Sequence, residues 1–137
     1  MDSRQDPSLS ERRTVLIIGA PNAALRTLQE VFSKKYDTIL CTEQREAEAA
    51  LLEKLEKLAL ILLDFTLPEK AGRGMLSYLC KKKLMTAIPV VVYTDNVNDY
   101  EEELKAYGCG IADIIHTPYA APIILRRTEN LMELYES

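Results

Sequence analysis

The run Leu60-Ile61-Leu62-Leu63-Asp64 constrains the fold of this chain more than any other segment. Consecutive apolar side chains on an extended backbone point alternately to opposite faces, so both faces of such a strand must be buried. A parallel sheet covered by helices on both sides meets that demand. A second run, Val15-Leu16-Ile17-Ile18, has the same character and ends in Gly19-Ala20. In a parallel sheet both runs finish at the carboxyl edge, where ligands and chemistry gather. One of these two ends carries a carboxylate, and the other carries none.

The remaining chain alternates between short apolar runs and segments of helical period. Residues 14–18 form the first strand, and residues 21–35 a helix with Leu25, Leu28, Val31 and Phe32 inward and Pro21 in its first turn. Residues 38–41 make a second strand. Residues 44–58 make an amphipathic helix with Ala47, Leu51, Leu55 and Leu58 on one face. The third strand covers 59–63, and a helix over 72–83 carries Met75, Leu76, Leu79 and Cys80. The fourth strand covers 88–93, with Pro89 at its start, where a missing donor is tolerated. Val97, Tyr100, Leu104 and Tyr107 repeat at helical spacing until Gly108-Cys109-Gly110 stops them. A fifth strand at 111–116 and a last helix at 119–135, with Leu125, Thr128, Leu131 and Tyr135 in register, complete the pattern. Five strands alternating with five helices predict a doubly wound α/β sheet of order 2-1-3-4-5. Its switch point lies between strands one and three, beside Gly19, Ala20 and Asp64.

Bulk properties set the limits of function. The 137 residues suffice for one core, which we assign to 14–137, with residues 1–13 as a polar, flexible tail. An apolar fraction of 47% and a charged fraction of 28% describe a globular chain. A net charge of −4 argues against nucleic-acid binding, and Lys81-Lys82-Lys83 is a solvated helix end. No apolar stretch is long enough to span a membrane. Cys41, Cys80 and Cys109 have neither metal nor CxxC spacing and read as reduced thiols in a cytoplasmic protein, with Cys109 a bystander between two glycines.

Three segments carry a resemblance when taken in order: Leu62-Leu63-Asp64-Phe65-Thr66-Leu67-Pro68 with Gly72, Pro89-Val90-Val91-Val92-Tyr93-Thr94, and Ala112-Asp113-Ile114-Ile115-His116-Thr117-Pro118-Tyr119. Together they resemble the receiver domain of two-component response regulators over nearly the whole globular part. The resemblance implies a flavodoxin-like three-layer sandwich and a non-enzymatic module of phosphorelay signalling. Asp64 matches the phosphoacceptor position, and Thr94 the switch hydroxyl at the end of strand four. The family's acidic pair, which binds Mg²⁺, falls on Gly19 and Ala20. The family's lysine falls on Thr117, the aromatic switch on Ile114, and the cis-proline on Pro118.

The substitutions have direct physical consequences. Mg²⁺ takes hard oxygen ligands, normally including carboxylates. A unit-charge pair about 4 Å apart is worth on the order of 4 kcal/mol at an effective dielectric of about 20. Losing two acids therefore weakens Mg²⁺ binding by orders of magnitude. Losing the lysine removes a cation from the transferring oxygens as well. The expected function is that of a pseudo-receiver with impaired Mg²⁺-dependent phosphorylation, acting through protein–protein interaction and needing no cofactor. If any metal binds, Asp64 is the residue to hold it. The alternative is a working receiver phosphorylated at Asp64 with Mg²⁺, borrowing charge from Asp95 or Glu69.

Other residues have more ordinary roles at this level. Thr94 is expected to cap the next helix or bond a loop. His116 is expected to face away from Asp64 by strand alternation. The Gly19-Ala20-Pro21-Asn22 loop opens a helix and suggests a third reading, an anion or nucleotide site. Tyr100, Tyr107, Tyr119 and Tyr135 are expected mainly in the core or at its boundary. Ile123, Ile124 and Met132 add apolar surface beyond one stripe of the last helix. The resemblance makes the last two helices the face for a histidine kinase, an output protein or a second copy in a homodimer, with no nucleic-acid or membrane partner.

Overall fold

The structure, a computed structural model, describes residues 12–66, 70–95, 99–116 and 120–136. Its elements are β1 (Thr14–Ile18), α1 (Ala23–Ser33), β2 (Asp37–Cys41), α2 (Gln44–Lys54), β3 (Leu58–Asp64), α3 (Lys70–Lys82), β4 (Val90–Thr94), α4 (Tyr100–Cys109), β5 (Asp113–His116) and α5 (Ala121–Glu136). The strands form one parallel sheet of order β2-β1-β3-β4-β5. This is the doubly wound topology that the alternating pattern predicts.

The apolar runs explain the middle of the sheet. β1, β3 and β4 are buried along their whole length, as strands covered on both faces must be. Val15, Ile17, Leu60, Leu62 and Val91 pack with Leu25, Leu28 and Phe32 of α1 and Ile124 and Met132 of α5. Leu16, Ile18, Ile61, Leu63, Val90 and Val92 face the other way, onto Ala47 and Leu51 of α2, Met75 and Leu79 of α3 and Ala106 of α4. Each fully buried aliphatic side chain of this kind contributes about 1.5–3 kcal/mol of transfer free energy.

Several element ends differ from the sequence expectation, each for a local reason. Pro21 lies outside α1, because Asn22 is the cap and its Oδ1 accepts from the Leu25 N–H at 2.9 Å. α2 stops at Lys54 and tightens into a 3₁₀ turn over Leu55–Lys57. Leu55 is consequently exposed, and Leu58 is buried in β3 rather than in the helix. Pro89 precedes β4 but still serves the ladder, its carbonyl accepting from the Ile61 N–H at 3.0 Å. α4 runs through Gly108, and Gly110 ends it with φ 108°, a left-handed conformation natural to glycine.

The core stripe of α5 is Ile124, Thr128 and Met132: of the expected register Thr128 is buried, whereas Leu125, Leu131 and Tyr135 are half-buried. Thr128 tolerates full burial because its hydroxyl donates to the carbonyls of Ile124 and Leu125, both at 2.9 Å.

The domain edge lies N-terminal to Thr14. Arg12 donates to the carbonyls of Ser33 and Lys35, and Arg13 to those of Lys57 and Leu58, with an ion pair from Arg13 to Glu136. Of the expected tail over 1–13, Arg12 and Arg13 are thus held to the domain, and residues 1–11 lie outside the described residues. None of the helices among the described residues is long and apolar enough to cross a membrane.

Candidate functional site

Asp64 ends β3 at the carboxyl edge of the sheet, opposite Tyr93 in the β3–β4 register. It is 3% exposed. One carboxylate oxygen, Oδ1, accepts from the Thr66 N–H at 2.8 Å and the Thr66 hydroxyl at 2.6 Å. This closed Asx turn satisfies a buried carboxylate locally. The Phe65 N–H donates to the Tyr93 carbonyl at 2.7 Å and fixes the backbone just past the acid. Burial, and then the Asp64 charge, push the Tyr93 phenol above its ordinary pKa.

Gly19 stands at the matching end of β1, and its N–H donates to the Cys41 carbonyl at 3.0 Å. A Cβ placed on Gly19 would lie 2.4 Å from the Asp64 Cβ, 2.7 Å from Asp64 Oδ2 and 2.9 Å from a Leu25 methyl. All three separations are inside van der Waals contact. The β1–α1 loop backbone is therefore pressed against the Asp64 side chain. α3 closes in from another side: a Cβ on Gly72 would meet the Asp64 carbonyl oxygen at 2.6 Å. Ala20, the second substituted position, turns the chain by accepting from the Asn22 N–H at 2.8 Å.

The donor set does not suit Mg²⁺. Among the described residues no group of three or more His, Cys, Asp or Glu side chains could hold a metal ion. At Asp64, one oxygen is engaged by Thr66 and the other faces the backbone of Gly19. An octahedral oxygen shell needs both more ligands and more room. In the β1–α1 loop the amides of Gly19 and Leu25 donate to the Cys41 carbonyl and to Asn22 Oδ1.

Thr94 ends β4 on the same edge, 4% exposed and opposite His116 in register. It does not cap α4: Asp99 does, accepting from the Glu102 N–H at 3.0 Å. A void of about 10 Å³, enough for roughly one water, lies under α4 between Thr94, Phe65, Ile114, Asp99 and Glu102. Ile114 is buried in the core beside this void. His116 points to α4, where its Nε2 lies 2.7 Å from Glu103 Oε2. Asp95 is exposed. Thr117, Pro118, Glu69 and Tyr119 fall outside the described residues.

The structure adds a cation that sequence spacing does not reveal. Arg73, in the first turn of α3, stacks over the Phe65 ring at 4.4 Å. It forms a bidentate pair with Glu102 of α4, at 2.7 Å and 3.1 Å. That pairing does most to raise the guanidinium pKa, with Asp64 a smaller contributor to the same end. Arg73 and Glu102 are 29 residues apart, so only the packing of α3 against α4 brings them together. The Asp64–Thr66 turn, by contrast, was legible as an aspartate followed two residues later by a hydroxyl.

No family model and no curated protein matches the chain. Solved structures do. A response regulator receiver domain protein from Methanospirillum hungatei superposes with a TM-score of 0.77 at 17% identity, covering 91% of this chain and 97% of the other. One from Clostridium thermocellum gives 0.76 at 15% identity, covering 90% and 97%. The phosphorylated cyanobacterial phytochrome response regulator RcpA gives 0.69 at 22% identity, covering 92% and 95%. The chain thus has the fold of response regulator receiver domains, the architecture that its motifs imply.

Proposed function

We propose that this chain is a receiver-like module of two-component signalling whose Mg²⁺-dependent phosphorylation is impaired and which acts by binding protein partners. The contact of Gly19 with Asp64 carries this reading. It leaves the acceptor carboxylate without the companion acids and without the space that a dication requires. Burial of Ile114 supports it, since a short β-branched side chain is no aromatic lever. A cytoplasmic location belongs to the same proposal.

The partner face is α4 with α5. Tyr100, Leu104 and Tyr107 repeat at i, i+4 and i+7 on α4 and are 74%, 70% and 47% exposed. They form an apolar stripe outside the core rather than core or boundary residues. Ile123 and Leu134 on α5 are 49% and 69% exposed, whereas Ile124 and Met132 are buried. A histidine kinase, an output protein or a second copy of the chain would dock here.

One observation favours the alternative, a working phosphoacceptor. Asp64 and Thr94 both stand at the sheet edge, and the nearby Arg73 guanidinium has its pKa raised in small part by Asp64. Incubation with acetyl phosphate and Mg²⁺, followed by intact-mass measurement, separates the two. The pseudo-receiver stays unmodified, and stoichiometric Mg²⁺-dependent labelling that is lost in Asp64→Asn would establish the alternative.

A further inference from the structure

α3 and α4 follow adjacent parallel strands of one sheet and so run in the same direction. Arg73 of α3 pairs with Glu102 of α4 near the start of each helix. Seven residues further along each helix stand Cys80 and Cys109. Seven residues are almost two turns, about 10.5 Å of rise, and return nearly to the same face. The ion pair therefore sets a register that brings the two thiols side by side, and Cys80 is the largest influence on the Cys109 thiol. Both cysteines are half-buried and pack on the same edge of the core. A surface groove between the helices, about 250 Å³ and lined by Arg73, Leu76, Glu102 and Cys109, opens this seam to solvent.

We propose that Cys80 and Cys109 form a redox-active dithiol that closes into an intramolecular disulfide, joining the last turn of α3 to the last turn of α4. The oxidant is a small disulfide of the glutathione class. The Cys80 thiolate attacks one sulfur of the oxidant, forming a mixed disulfide and releasing one glutathione thiolate. Cys109 then gives up its proton to solvent and attacks the Cys80 sulfur. The bond to glutathione breaks and the second glutathione leaves. Two protein thiols are oxidised and one glutathione disulfide is reduced to two thiols.

The neighbouring Cys80, with burial, pushes the Cys109 thiol up to about 11, which disfavours Cys109 as the attacking thiolate and leaves it as the resolving thiol. Closure needs the sulfurs to approach to about 2.05 Å. Cys41 is buried in β2, its pKa raised chiefly by that burial, and it stands outside the pair. The disulfide would hold α4, with its apolar stripe, to α3. The dithiol itself stands on its own geometry, independently of what docks on that stripe.

The test is thiol counting on the full, reduced chain before and after exposure to oxidised glutathione at about pH 8. The expected result is the joint loss of two of the three thiols, a monomeric product, a linked Cys80–Cys109 peptide, and recovery on reduction. Cys80→Ser and Cys109→Ser should each abolish the internal link, and Cys109→Ser should leave a stable glutathione adduct on Cys80. The wild-type peptide map decides the matter even if a variant folds poorly. A persistent glutathione adduct on the wild type, a disulfide between chains, or three unreacted thiols would each overturn the proposal.

Discussion

Gly19 has no side chain where Asp64 leaves no room for one: the nearest Asp64 atom would lie 2.4 Å from a Cβ at that position. The buried Asp64 carboxylate and the glycine beside it belong to one packing arrangement. Placing an acid at Gly19 by mutation should therefore fail. Gly19→Ala is expected to destabilise the fold by about 1–3 kcal/mol through overpacking. Gly19→Asp should do at least as much and gain no Mg²⁺ affinity. Urea unfolding of both variants, with and without Mg²⁺, checks this. A Gly19→Asp protein that Mg²⁺ stabilises would show that the loop yields.

The core stripe of α5 gives a sharp contrast between neighbours. Ile124 is 1% exposed and its preceding residue Ile123 is 49% exposed. Ile124→Ala should cost about 2–5 kcal/mol. Ile123→Ala should stay within about 0.5 kcal/mol, as surface substitutions usually do. Equal losses at the two positions would contradict the assignment of the buried face.

The same helix shows where sequence stops being sufficient. β1, β3 and β4 were legible because a run buried on both faces admits few other structures. Asp64, Thr94 and Gly19 were then placed at one sheet edge by topology alone. In α5, however, Ile123, Ile124 and Leu125 are all apolar, and a helix with apolar residues in succession does not declare which stripe faces in. Thr128, expected in register, is buried and satisfied by its own helix. On α4 the periodic apolar set Tyr100, Leu104 and Tyr107 implies a core face, yet Ala106 is its buried residue. Periodicity reports that a face is apolar, and not whether the domain itself covers it. Arg73 escaped because its partner is distant in sequence.

α4 should be the least protected helix. With Ala106 its one residue in the buried core, it is tied down largely by side-chain pairs, Arg73–Glu102 and His116–Glu103. Such partly exposed pairs are worth about 0.2–1 kcal/mol each. Hydrogen exchange should show α4 opening at lower free energy than α1, α3 or the central strands. Glu102→Ala should speed exchange in α4 while lowering global stability by about 1 kcal/mol or less. Protection of α4 equal to that of β3 would contradict this.

Alkaline pH should weaken the fold in part through Cys109. Its pKa is raised from 9.0 to about 11 in the folded state. Above the unfolded value the unfolded chain loses a proton that the native state keeps, so stability falls as pH rises. The contribution is fully present below about pH 9 and is lost progressively up to about pH 11. Tyr36, Tyr93 and Tyr107, all raised chiefly by burial, act in the same direction. Urea midpoints across this range should therefore decline, and Cys109→Ser should flatten the decline without removing it. An unchanged slope in the variant would remove Cys109 from this account.

The central claim is that the Asp64 pocket does not hold a dication. Amide chemical shifts of Gly19, Asp64, Phe65 and Thr66 followed through a Mg²⁺ titration address it at the residues concerned. The account predicts small, non-saturating shifts no larger at these amides than at exposed acidic positions elsewhere. Saturable shifts centred on Asp64 and Gly19, abolished by Asp64→Asn, would contradict it.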